Sequence, residues 1–135
     1  MRVRRSLAGI AVFEVHKDID VVEIDLMLAG MRITRPRSSS KYSRYYLVLE
    51  ELTESLGIDS ENAYYKDYVC YYNKTPLLCR LLVTSRRQKV SYVILASFQT
   101  KILPQISRVL LRSGWRKTFL FEMATRRHSP WRAVG

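Results

Sequence analysis

Five short groups of cations punctuate this sequence: Arg2, Arg4 and Arg5; Arg35, Arg37 and Lys41; Arg86, Arg87 and Lys89; Arg116 and Lys117; and Arg126, Arg127 and Arg132. Arginine outnumbers lysine 16 to 7, and its planar fork meets a phosphate through two hydrogen bonds and stacks on a base. Nine tyrosines accompany them, six in the doublets Tyr45-Tyr46, Tyr64-Tyr65 and Tyr71-Tyr72. An exposed tyrosine ring is a stacking surface for an unpaired base, and one turned inward is core. Trp131, among the last cations, is either a tether to the domain or a contact with a partner.

Other chemistries have less to work with. No nucleophile motif, glycine-rich phosphate loop or pair of acidic metal ligands occurs, and five glycines leave no room for a concealed phosphate loop. His16 and His128 lack a neighbouring nucleophile or carboxylate pattern and read as surface residues. Two cysteines cannot build a disulfide framework, and with two histidines at unrelated spacings they make no zinc signature. No cofactor is expected.

The 135 residues carry 23 Lys plus Arg against 12 Asp plus Glu, a formal charge of +11. The excess is uneven. Residues 1–67 hold 10 basic and 11 acidic residues, whereas 68–135 hold 13 basic residues and one acid, Glu122. That split predicts a one-sided positive field rather than a diffuse solubility charge. Hydrophobic residues make up 47%, so a folded domain is expected, not a disordered basic tail. No apolar run approaches the roughly 20 residues of a membrane helix. The expectation is a soluble intracellular protein, cytoplasmic or nucleoid-associated, with an Arg-rich, acid-free start that also fits a mitochondrial presequence.

The elements that would position these groups follow from periodicity. Leu7 to Val15 reads as a strand, and after a turn Val22, Ile24, Leu26 and Leu28 alternate with Val21, Glu23, Asp25 and Met27, which predicts a β-hairpin. A helix from about Ile19 to Ala29, capped by Asp18, is the competing reading. The stretch 32–41 reads as a loop. Tyr45, Leu49, Leu52 and Leu56 then predict a helix over roughly 41–56, capped by Ser40 and stopped by Gly57. Strands are expected at about 63–73, 77–85 and 90–98, joined by four-residue loops at 73–76 and 86–89. The first loop would set Cys70 opposite Cys79, as small core residues or as a disulfide, and Asp67 diagonal to Arg80 as a structural ion pair. Ile102, Leu103, Ile106, Val109 and Leu110 predict a helix ended by Gly114, and Trp115 to Met123 a last strand.

The expected class is therefore α+β: an antiparallel sheet, made of the N-terminal hairpin, a three-stranded meander and a final strand, packed against two helices. Residues 1–124 would form this single domain and 125–135 a basic C-terminal arm.

The order helix, three strands, helix, strand over about 41–123 resembles the core of the restriction-endonuclease-like nucleases. That resemblance implies a metal-dependent nuclease in which Asp67, Gln99 and Lys101 hold the metal and activate water. The chain departs from the family in placing Asp67 on the first strand of the meander and in offering the neutral Gln99. The order of elements over about 31–112 also resembles half of a LAGLIDADG-type homing endonuclease, but the acid ending that family's signature helix is missing after Leu28-Ala29-Gly30.

The residues themselves predict a non-catalytic nucleic-acid-binding protein, with RNA in a ribonucleoprotein ahead of DNA. Arg35, Arg37, Lys41, Arg86, Arg87, Lys89, Arg116, Lys117, Arg126, Arg127, Trp131 and Arg132 would make the contacts. A virus-encoded or regulatory domain docking on an acidic protein surface would use the same residues. No membrane contact is expected, and a strand edge at 115–123 is a candidate for homodimer pairing.

Overall fold

The computed structural model describes residues 7–34, 42–55, 57, 63–84 and 87–122. Six strands and three helices follow one another as β1 (Gly9–Asp18), α1 (Ile19–Leu28), β2 (Arg32–Thr34), α2 (Ser43–Ser55), β3 (Ala63–Tyr72), β4 (Thr75–Thr84), β5 (Lys89–Ser97), α3 (Ile102–Arg112) and β6 (Arg116–Glu122). The strands make one antiparallel sheet in the order β2-β3-β4-β5-β1-β6. The α+β class follows directly. Two layers of helix enclose the sheet: α1 and α3 cover one face, α2 the other.

β1 lies between β5 and β6, and its first residues, Gly9 to Phe13, are all buried. Apolar residues at consecutive positions suit this place, since both faces of the strand are covered. Ala11, Phe13 and Val15 join the cluster under α1 and α3, while Ile10 and Val12 join the one under α2.

The N-terminal hairpin is not formed, because residues 19–28 are a helix. Val22, Leu26 and Ala29 are buried and Ile24 and Leu28 are not, a spacing of four and three in place of strict alternation. The helix is apolar almost all round, so both periods fit the sequence. Asp18 occupies the N-cap position but makes no side-chain cap bond. The Ile19 amide instead donates to the Gln88 carbonyl at 3.1 Å, so the β4–β5 loop caps the helix. At the other end Gly30 adopts φ +98, and a Cβ there would meet the Tyr72 ring at 3.0 Å.

The meander is shifted from its expected register. Asn73 and Lys74, with φ of 48 and 63, make a two-residue turn of the kind that matches strand twist, so Thr75 and Pro76 belong to β4. Cys70 consequently faces Leu77, and Cys79 faces Tyr68. The two thiols are free, buried and diagonal to one another. The other expected elements, α2, β3, β5, α3 and β6, lie within two or three residues of their predicted bounds, and Gly57 and Gly114 follow α2 and α3 with positive φ.

Candidate nucleic-acid interface

Toward one end of the sheet lie four described cations of the second half, Arg87, Lys89, Arg116 and Lys117. Lys89 opens β5 opposite Asp18, the last residue of β1, and Arg116 opens β6 opposite Glu14. Arg87 stands at the tip between β4 and β5. The hairpin tip and the start of β6 are two strand spacings apart across β1, about 10 Å, and are offset along it by the four residues from Glu14 to Asp18, about 13 Å. Arg87, Lys89 and Arg116 are exposed, and Lys117 is half-buried.

Arg116 and Lys117 do not act as a pair. Successive strand residues point to opposite faces, so Arg116 shares the α2 face with Glu14 and Lys117 the α1/α3 face with Phe13. Arg116 Nη2 donates to Glu14 Oε1 at 2.9 Å, and His16 Nε2 lies 2.9 Å from Glu14 Oε2. These two hydrogen bonds, His16 first, hold the Glu14 carboxyl below the ordinary carboxylate range. Part of the Arg116 charge is thus answered within the chain. Asp18 and Asp20 are also exposed at this end, and among the described residues the cations there without an ion pair are Arg87, Lys89 and Lys117.

Tyr64 adds an aromatic surface beside them. It lies on β3 opposite Val83, one residue from the end of β4, and is 40% exposed. Its hydroxyl donates to Gln88 Oε1 at 2.8 Å, which fixes the ring against the hairpin that carries Arg87 and Lys89. The other doublet members divide between faces as strand geometry requires. Tyr65 lies under the Arg80 guanidinium, 4.9 Å from its ring centroid, Tyr71 packs by Arg32, and Tyr72 donates to Gln105 on the opposite face. Tyr45 meets Phe98 edge to face at 4.7 Å, so these rings are core or support. Arg35, Arg37, Lys41, Arg86, Arg126, Arg127, Trp131 and Arg132 lie outside the described residues, as does His128.

The residues of the nuclease resemblance are not brought together. Asp67 faces Arg80 directly, and both its oxygens accept from that guanidinium, Oδ1 from Nε at 2.8 Å and Oδ2 from Nη2 at 3.0 Å. The pair is direct rather than diagonal because the turn is two residues shorter. Gln99 and Lys101 are exposed beyond the far end of β5, the nearer of them, Gln99, five residues past Ile94, the β5 partner of Arg80. That is about 17 Å along the strand. Among the described residues no group of three His, Cys, Asp or Glu could hold a metal.

Two cations escaped the sequence reading, Arg108 and Arg112. With Lys101 at the N-cap and Gln105 they line the exposed side of α3, at spacings of four, three and four. The apolar stripe that located the helix also specifies these positions, as its opposite face.

No family model, curated protein or solved structure matches the chain.

Proposed function

We propose that this chain is a nucleic-acid-binding protein that takes unpaired RNA in preference to duplex DNA. The observation that carries the reading is Tyr64, an exposed ring held by Gln88 beside Arg87 and Lys89. A ring between cations can stack a base while the cations neutralise the flanking phosphates. Lys117 extends the same end, and the second half of the chain supplies 13 basic residues against one acid. Duplex DNA would use the cations but leave Tyr64 without a base to stack.

Fluorescence anisotropy with a labelled single-stranded RNA and a labelled DNA duplex tests this. Log affinity for RNA should fall linearly with log salt, and Arg87→Ala and Lys89→Ala should each reduce the slope by about 0.7. Tyr64→Leu should weaken RNA binding by about 1–3 kcal/mol and leave duplex binding unchanged. Absence of binding to either nucleic acid at low salt sinks the reading and favours an acidic protein surface as the partner.

A further inference from the structure

α1 carries apolar side chains on the side that faces away from the sheet. Val21, Ile24, Met27 and Leu28 are 40%, 49%, 54% and 71% exposed, and 21, 24 and 28 fall on one stripe of a helix. A contiguous exposed stripe of large apolar residues is unusual on a surface with no partner. Beside it runs α3. α1 leads away from the Asp18 end of β1, whereas α3 ends at Arg112, where the chain returns to that same end to start β6. The two helices are therefore antiparallel.

Their charges are opposite. α1 has exposed Asp20 in its first turn and basic residues nowhere, while α3 has Lys101, Arg108 and Arg112 on its outer side and no acid. Neither Arg108 nor Arg112 makes an ion pair among the described residues. Asp20 and Arg112 lie toward the same end of the sheet, on different helices.

We infer that the α1/α3 face is where two copies of this chain associate, with the apolar stripe of α1 at the centre. A two-fold axis parallel to the helices lays α1 of each copy on α3 of the other. Asp20 of one then lies over the Arg108–Arg112 segment of its partner, twice by symmetry. A patch holding an apolar centre and both signs of charge on antiparallel helices is complementary to itself, which a closed two-fold interface requires. A membrane surface suits it less well, because an acid rather than a cation flanks the exposed apolar residues. The inference does not rest on nucleic-acid binding.

Sedimentation velocity on the full chain decides it. The natural protein should be a dimer, and Ile24→Lys should weaken association by roughly ten-fold or more without moving the thermal midpoint of the monomer. Asp20→Arg and Arg112→Glu should each weaken it, and the double variant should recover most of the loss. A natural chain that stays monomeric at about 100 μM overturns the inference. A dimer indifferent to Ile24→Lys overturns it and moves the contact elsewhere, to the β6 edge for example. A monomer whose thermal midpoint falls in Ile24→Lys also overturns it, because the stripe is then covered by the chain itself.

Discussion

Each face of the sheet buries one charged cluster, and the two clusters differ in how their cations stand to water. Under α1 and α3, Asp25 Oδ2 accepts from Lys17 Nζ at 2.6 Å and from Trp115 Nε1 at 2.8 Å, and Lys17 also donates to the Ser113 carbonyl. The Lys17 side chain keeps 26% of its surface. Under α2, the Arg80 side chain keeps 6%, closed in by Asp67, Thr53 and the Tyr65 ring. The first cluster is a latch at the rim of a core that is otherwise apolar, and its lysine has a route to solvent. The second is a guanidinium sealed mid-sheet. The acids therefore have different tasks: Asp25 ties three segments together, whereas Asp67 makes the burial of Arg80 tolerable.

Removing each acid should expose that difference. Asp67→Ala leaves a buried, uncompensated guanidinium and should cost about 3–5 kcal/mol in urea unfolding. Asp25→Ala leaves the buried Trp115 N–H unpaired while Lys17 turns to water, and should cost about 1–3 kcal/mol. The double change Asp67→Leu with Arg80→Met should recover most of the first loss, since replacing a buried ion pair by apolar residues is often neutral. Equal costs for the two alanine variants would erase the distinction between the clusters.

A smaller effect sharpens it. The Tyr46 hydroxyl is buried on the α2 side with no hydrogen-bond partner among the described residues. Burial, and then the nearby Asp67 carboxylate, push its ionisation above the ordinary tyrosine range. Tyr46→Phe removes an unsatisfied polar group at constant shape, so stability should stay the same or rise by about 1 kcal/mol. A loss larger than that would show that the hydroxyl supports the Asp67–Arg80 pair.

The smallest effect belongs to the exposed rim. The Glu14 carboxyl is held below its reference of 4.5 by His16 and Arg116. A lowered carboxylate contributes stability above the unfolded value and loses it as pH falls through the folded one. The natural protein should therefore lose slightly more thermal stability than Glu14→Gln on going from pH 5 to pH 3, and the same change in high salt should shrink the difference.

Much of the fold was legible, and its main errors have separate local causes. α2 and α3 have one apolar and one polar face, and β3, β4 and β5 are dense in aromatic and β-branched residues bounded by turn residues, so period and propensity agree. In α1 the outward Val21, Ile24 and Leu28 are as apolar as the inward Val22 and Leu26, and the pattern no longer separates helix from strand. Thr75 and Pro76 look like loop residues, yet the left-handed Asn73 and Lys74 close the turn without them. At the candidate interface, the divergence of Arg116 and Lys117 was readable from strand alternation alone. The pairing of Arg116 with Glu14 was not, because it joins residues 102 positions apart.

The position of β1 has a consequence for the order of assembly. The three strands of the meander are local and can pair as they are made, but β1, which lies between β5 and β6, precedes them in the chain and meets its outer neighbour only after all three. Thr118 meets Val12 across 106 positions. A nascent chain must hold β1 without its second partner until Thr118 has been made, since contacts at such separation form late. A chain terminated before Trp115 would leave the Ile10–Phe13 run as an open, apolar edge, a template for adding strands from other chains.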